Sequence, residues 1–519
     1  MELEIYDTTL RDGSQQEGIS LTVNDKLRVA GLLDDLGVAY IEGGWPGANL
    51  KDTEFFRRAA AELDLRHARL AAFGSTRRPG GRAATDDQLV ALLDAGTEHV
   101  CIVGKSWDYH VSQALRVDLD EGVRMVGESV EFLTGKGRRV FFDAEHFFDG
   151  YKSDSEFALA TLSAALDGGA ERLVLCDTNG GTLPQDILRA IAAVQHRFPD
   201  AALGVHFHDD IGTAVAASLA AVDVGVSQVQ GCINGYGERT GNANLSTLIP
   251  DLQLKMGRKA ITGDLDLLSP ISHHIAEIVN LTLNPHQPYV GASAFTHKAG
   301  LHTSALARRP DAYEHENPVR VGNRTRMVVS ELAGKAAVIS KAAEMGLEVD
   351  DDLARLVVDR VKEMEHEGYH FEAADGSFEL LVRGMTGWEN SFFNLESFRV
   401  VTDRRAGEEV ASEATIKLTV DGELKVSIGE GVGPVHALDK AVRAALADRY
   451  PHVADLRLTD YRVRVLDSQD GTSARVRVLI ETSDLTSSWG TIGVHENVIE
   501  ASWRALSDGI VVGLLKTGA

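Results

Sequence analysis

The stretch Gly204-Val205-His206-Phe207-His208-Asp209-Asp210 holds the densest chemistry in this chain. Successive side chains on a strand point to opposite faces, so His206 and His208 share one face, roughly 7 Å apart along it. Two imidazoles so placed offer two-point anchorage for a divalent cation. Asp209 or Asp210 could orient them, because a metal-ligating imidazole commonly donates its other N–H to a carboxylate. The pattern also fits two polar histidines facing solvent at a strand end. A second cluster, Asp-Thr-Thr-Leu-Arg-Asp-Gly-Ser-Gln (7–15), weighs against that alternative by placing Asp12 just past the first predicted strand. One carboxylate and two imidazoles leave a coordination sphere open to substrate oxygens, as a catalytic metal requires.

These residues need a scaffold, and the apolar pattern supplies one. Short β-branched and apolar runs predict strands at 3–9, 38–44, 69–75, 99–104, 140–146, 172–178, 203–208 and 228–233. Amphipathic stretches between them predict helices, among them 24–36, 86–95, 119–133, 155–166, 184–198 and 213–222. Several of these helices run into glycine just before the next strand, at Gly37, Gly96, Gly168-Gly169 and Gly225. Glycine closes a helix there by taking the left-handed conformation. Eight β–α units within about 240 residues predict a closed (β/α)8 TIM barrel, with a doubly wound open sheet as the alternative. Polar residues gather at the C-terminal ends of predicted strands one, two, five, six, seven and eight, where a barrel builds its active site.

At 519 residues the chain exceeds one hydrophobic core and implies two or three domains. The predicted division is a barrel over 1–262, a mostly helical region over 263–388, and a C-terminal α+β domain over 389–519. The last contains an internal repeat: 414–446 aligns with 474–506 at an offset of 60, pairing Gly433 with Gly493, Ala441 with Ala501 and Ala445 with Ala505. Each copy reads as a strand, a glycine turn and a helix, which implies two related units about a pseudo-twofold axis. A formal charge of −25 argues against nucleic acid or an anionic membrane as the main partner. No apolar run is long enough to span a bilayer, and no charged-then-apolar leader opens the sequence. Cys101, Cys176 and Cys232 each fall in an apolar run, which predicts buried thiols in a reducing, cytoplasmic setting.

Four motifs in order resemble the 2-isopropylmalate, homocitrate and citramalate synthase family, barrel metalloenzymes named for an Asp-Arg-Glu signature. They are the 7–15 cluster, Tyr-Ile-Glu-Gly-Gly (40–44), His-Phe-His-Asp-Asp (206–210) and Asn-Gly-Tyr-Gly-Glu-Arg-Thr-Gly-Asn-Ala-Asn-Leu (234–245). The likeness continues through His-Lys-Ala-Gly-Leu-His (297–302) and into a C-terminal domain similar to the family's amino-acid-binding regulatory domain. Gly-Gly-Trp-Pro-Gly (43–47), Phe-Gly-Ser-Thr-Arg (73–77) and Asp-Ala-Glu-His-Phe-Phe-Asp-Gly-Tyr (143–151) look most like the branch that forms citramalate from pyruvate. Glu17 points the same way, since isopropylmalate synthases usually carry proline there.

The resemblance implies condensation of acetyl-CoA with a 2-oxo acid, followed by thioester hydrolysis. It assigns Asp12, His206, His208 and Asn242 to the divalent metal, whose mixed O and N ligands suit Mg²⁺ or Mn²⁺ and would also accept Zn²⁺. It gives Arg11 to the oxygen that becomes the alkoxide, with Glu42 holding Arg11; the plainer alternative is an Arg11–Glu42 pair of structural value only. Thr178 is expected on the substrate carboxylate, and Glu145 in acid–base work or substrate binding. His302 and Tyr313 match positions that reach over the active site from the neighbouring subunit, which implies at least a homodimer. The Phe-rich segment (Phe141, Phe142, Phe147, Phe148) and Trp45 are expected to crowd a small acceptor pocket. The C-terminal domain is expected to bind isoleucine as feedback inhibitor, its carboxylate received by helices opened by the glycine turns at 429–433 and 490–493. A larger 2-oxo acid, a carbon–carbon lyase on the same scaffold, and a non-catalytic metal- or amino-acid-binding protein are the alternatives. The last leaves Arg11, Glu42, Glu145 and Asn242 without a purpose.

Overall fold

Each of the eight apolar runs forms one parallel strand: β1 (Glu4–Asp7), β2 (Tyr40–Gly44), β3 (Arg69–Ser75), β4 (His99–Lys105), β5 (Arg139–Glu145), β6 (Arg172–Asp177), β7 (Leu203–Phe207) and β8 (Gln228–Gly231). They pair in chain order, and β1 closes on β8, so the sheet is a barrel and not an open doubly wound sheet. The computed structural model describes residues 3–298, 305, 309–329, 334–404, 410–466, 473–484 and 486–518. It divides into two units, 1–295 with 316–324, and 296–315 with 325–519.

Local chemistry fixes the helices around the barrel. Thr22 and Asp25 form a reciprocal capping box that starts Val23–Leu36, and Gly37, at φ 84°, ends it. Asp86, Asp118 and Asp154 each cap a further helix through a side-chain oxygen. The period of two along each strand then sorts residues. On β5, Val140, Phe142 and Ala144 pack outward into the core beneath the helices, while Phe141 packs inside the barrel with Tyr6, Tyr40 and Cys101. Asp143 and Glu145 follow on the inward side and line its mouth. Cys101, Cys176 and Cys232 are buried free thiols. No helix among the described residues is long and apolar enough to cross a membrane.

After Leu268–Ile278 the helical expectation for 263–388 holds only in part. From 279 to 334 the described residues form 3-10 turns (Pro310–Ala312, Pro318–Val321) and a two-strand bridge, β9 (Thr296–His297) with β10 (Arg326–Met327). Regular helices resume in the second unit at Lys335–Glu344, Asp351–His366 and Asp375–Met385, packed on a cluster that includes Val338, Val357, Phe371 and Phe378.

The repeat is real but its register differs from the ungapped alignment. The first copy is β11 (Asn394–Asp403), β12 (Ala411–Val420), β13 (Glu423–Gly431) and helix Pro434–Leu446. The second is β14 (Arg457–Val465), β15 (Val476–Ser483), β16 (Ser488–His495) and helix Val498–Thr517. Ala414 pairs with Gly429 where Val478 pairs with Gly493, so equivalent positions lie 64 apart and not 60. Alanine recurs every fourth residue on both helices, so sliding the alignment by about one helical turn still sets alanine on alanine. The structural equivalents are Gly429 with Gly493, Ala437 with Ala501 and Ala441 with Ala505. What read as glycine turns lie within strands: Gly429 and Gly431 in β13, Gly490 and Gly493 in β16. Only Gly433 opens a helix, and the other helix is already capped by Asn497, whose side chain accepts from the amides of Ile499 and Glu500. The expected pair of open carboxylate receptors is therefore not present.

Candidate active site

The loop after β1 carries Arg11 and Asp12 and is held from several sides. Asp7 accepts from the Thr9 amide and hydroxyl at 2.9 Å each, Thr9 Oγ1 accepts from the Ile233 amide, and Thr8 Oγ1 donates to Gly231. β7 delivers His206, and His208 follows one step past its end, where its backbone bridges to Asn242. The 234–245 loop brings Asn242 in. Gly237 sits at φ 147°, and a Cβ there would lie 2.1 Å from Asn242 Oδ1, so this approach tolerates no side chain.

These elements bring Asp12, His206 and His208 together, with potential ligand atoms all within 4.8 Å of one another and all three residues buried. His206 Nε2 is 3.1 Å and His208 Nε2 3.8 Å from Asp12 Oδ2. Asn242 donates from Nδ2 to Asp12 Oδ2 at 2.7 Å and lies 3.3 Å from His206 Nε2. Among the described residues, His208 Nδ1 and Asn242 Oδ1 are buried polar atoms without a hydrogen-bond partner. One carboxylate and two imidazole nitrogens at one point fit a divalent cation, and Asn242 beside them holds an unused amide oxygen that lies against Gly237. Burial pushes the Asp12 carboxyl up, but Arg11 and the two imidazoles outweigh it and hold it well below the ordinary range. Burial, then His206, pulls His208 down to about 4, so its ring is neutral at physiological pH.

Arg11 Nε donates to Glu42 Oε1 at 2.6 Å, and the guanidinium lies over the Phe73 ring, Cζ 3.8 Å from the centroid. Glu145, at the end of β5, forms an ion pair with Lys105 at the end of β4. Thr178 follows β6, and its hydroxyl accepts from the His146 amide at 2.9 Å. Arg11, Asp12, Thr178, Glu145, His206 and His208 all line one cavity of about 500 Å³. Glu42 lies behind Arg11, fully buried. Tyr313 belongs to the second unit and is 47 % exposed. His302 lies outside the described residues.

Two expectations change. Asp209 and Asp210 do not orient the imidazoles: Asp209 accepts from the Ala214 amide, and Asp210 pairs with Arg239 at 2.7 Å. His206 Nδ1 instead meets Gln230 Oε1 at 2.9 Å, and Gln230 Nε2 donates to Asp143 at 3.0 Å. The four phenylalanines do not wall the cavity, because Phe141 sits deeper in the barrel and Phe142, Phe147 and Phe148 face the outer core. Trp45, Phe73, Val103, Cys176 and Asp143 line it. Sequence reasoning missed Lys105, Asp143 and Gln230; the only signal for them was a polar residue at the inward period of an apolar strand.

The HMGL-like family model matches residues 2–273, a homocitrate synthase post-HMGL domain-like model residues 289–369, and the LeuA allosteric (dimerisation) domain model residues 372–513. The (R)-citramalate synthase of Streptomyces coelicolor is 53% identical to this chain, over 99% of the chain and 97% of the relative. That of Aquifex aeolicus is 51% identical over 99% and 98%, and that of Sulfolobus acidocaldarius 43% over 98% and 96%. Fold and site thus define a TIM-barrel enzyme with a polar mouth suited to a divalent metal. The chain belongs to the HMGL-like barrel synthases, the family of the 2-isopropylmalate, homocitrate and (R)-citramalate synthases.

Proposed function

We propose that this enzyme is an (R)-citramalate synthase, an acyltransferase that condenses acetyl-CoA with pyruvate. The observation that carries the reading is near full-length identity of 53% to a synthase of that name. The acetyl methyl gives up a proton, its carbon bonds to C2 of pyruvate, and the carbonyl electron pair becomes an alkoxide that is then protonated. Water next attacks the thioester, and CoA leaves as the thiol.

Asp12, His206 and His208 would hold the divalent cation, with Asn242 as fourth ligand through its amide oxygen. Mg²⁺ or Mn²⁺ suits these donors, Zn²⁺ is also compatible, and such an ion supplies Lewis-acid polarisation of a carbonyl. Arg11 presents fixed positive charge to the oxygen that gains the electron pair, and Glu42 keeps it aimed. Thr178 binds the pyruvate carboxylate. Glu145 binds substrate or moves a proton, its charge balanced by Lys105. His302 takes the methyl proton, as a general base of imidazole type can, and Tyr313 acts with it. Both come from the linker of a second subunit, so the active form is at least a homodimer.

The domains divide as 1–262 for catalysis, 263–388 for completing the site, and 389–519 for regulation and dimerisation. The match to the LeuA allosteric (dimerisation) domain supports the last assignment. Citramalate leads toward isoleucine, which makes isoleucine the economical inhibitor, and the three buried free thiols fit a cytoplasmic enzyme. Release of free thiol from acetyl-CoA tests the reading: it should require pyruvate, and release indifferent to any 2-oxo acid would refute it.

A further inference from the structure

A neutral imidazole carries one N–H and one lone pair, and only the nitrogen with the lone pair can bind a cation. His206 points Nε2 at Asp12 and Asn242, so its usefulness depends on Nδ1 carrying the proton. The acceptor for that proton is Gln230 Oε1, at 2.9 Å. A glutamine is ambiguous here, because rotating its amide by half a turn would present NH₂ to the ring and demand the opposite tautomer. Asp143 removes the ambiguity. Burial pushes the Asp143 carboxyl up, but His206 and the hydrogen bond from Gln230 favour its ionised form, which only accepts; with Oδ1 3.0 Å from Gln230 Nε2, the amide then turns its NH₂ toward Asp143 and its oxygen toward His206. The opposite orientation would set two acceptors face to face where Gln230 is 1% and Asp143 3% exposed, with no bulk water to separate them. The strand register maintains the chain of contacts, since His206 and Gln230 are direct neighbours across β7 and β8.

We propose that Asp143 and Gln230 are positioning residues that lock His206 in the Nδ1–H tautomer and so keep Nε2 available to the divalent cation. The device acts on one imidazole only. His208 Nδ1, buried, finds no partner among the described residues, so the two ligands are unequally prepared. The inference rests on the reading of His206 as a metal ligand, and its test separates the two.

The test is Mn²⁺ titration of metal-stripped, full-length protein by calorimetry, with steady-state kinetics alongside. Asp143→Asn lets the 143–230 pair reverse, and Gln230→Met removes both hydrogen bonds at similar volume. Each should weaken Mn²⁺ binding 10- to 100-fold, the usual effect of losing an outer partner of a metal-bound imidazole. The double variant Asp143→Asn/Gln230→Glu restores an acceptor for His206 and a donor toward residue 230. It should recover Mn²⁺ affinity to within about threefold of the parent, a rescue that a purely structural role would not give. Unchanged Mn²⁺ affinity in both single variants would overturn the inference, as would a loss that the double variant leaves in place. Failure of the unmodified protein to bind Mn²⁺ at all would instead overturn the metal-site reading, and the inference with it.

Discussion

Arg11 and Glu42 face each other across the first two strands, Nε 2.6 Å from Oε1, with the carboxylate wholly out of water. Burial pushes the Glu42 carboxyl up, and Arg11 pulls it back. Tyr6 donates to the other carboxylate oxygen at 3.1 Å. Removing one partner of such a pair strands the other, at a cost of about 3–5 kcal/mol. Arg11→Gln should therefore lower thermal stability sharply, while Arg11→Gln/Glu42→Gln recovers most of it. Neither variant should regain turnover, because the guanidinium aimed at the developing oxyanion is gone in both; the expected loss in kcat is at least ~10²-fold. Substantial activity in the double variant would make the pair structural only.

The Asp12, His206 and His208 cluster has no apolar role that would justify three buried polar side chains at one point. Alanine at any of the three should abolish turnover and weaken divalent-metal binding, with the far-ultraviolet circular dichroism unchanged. Near-normal turnover by any of them in metal-stripped buffer would end the metal mechanism.

Asp508 gives the second unit a pH dependence of defined sign. It is half-buried beside Ser377, whose hydroxyl donates to it at 2.7 Å, and loss of hydration raises its carboxyl to about 6 from an ordinary 3.8. Between those values the native protein holds a proton that the unfolded chain has lost, so stability falls as pH rises through the window. The loss is complete above about 6 and amounts to about 3 kcal/mol for a shift of this size. Asp508→Asn should flatten the fall and be the more stable protein at pH 8. A parent protein that gains stability from pH 4 to 7 relative to the variant would contradict this.

The corrected repeat makes its own forecast. A Cβ at Gly493 would meet Ala501 O at 2.0 Å, and one at Gly429 would meet Ala437 O at 2.4 Å. Each helix lies directly on its strand at these points. Gly493→Ala should cost about 1–3 kcal/mol by overpacking and speed amide exchange in 498–517 while leaving the barrel strands protected. Unaltered exchange would mean that the close approach is not maintained in solution.

The regulatory proposal is tested by truncation. Ending the chain near residue 388 should abolish any inhibition by isoleucine. Coupling requires isoleucine to bind one arrangement of the enzyme better than another. If isoleucine neither binds the full-length protein nor slows it, assembly is what remains for the domain.

The barrel was legible because buried parallel strands read as unbroken apolar runs, each helix before them closed by a capping residue or glycine. All eight predicted strands lie within two residues of those observed at each end. Asp12, His206 and His208 were legible because their spacing is local to a strand and a turn. Gln230 and Asp143 were not, because what joins them to His206 is pairing between β5, β7 and β8 across the barrel interior, for which no spacing along the chain gives a sign. β13 and β16 were misread as turns because their glycines serve close helix packing within strands. The phenylalanines of β5 misled because the alternation of faces sends Phe142 outward, and Phe141 lies below the cavity floor.

The central claim is the acceptor, and kcat/KM for pyruvate, 2-oxoisovalerate and 2-oxoglutarate, followed by free thiol released from acetyl-CoA, tests it most directly. One or two methylenes in a pocket are worth about 1–3 kcal/mol, so pyruvate should lead each larger acid by at least about tenfold. A higher kcat/KM for either larger acid would contradict the assignment.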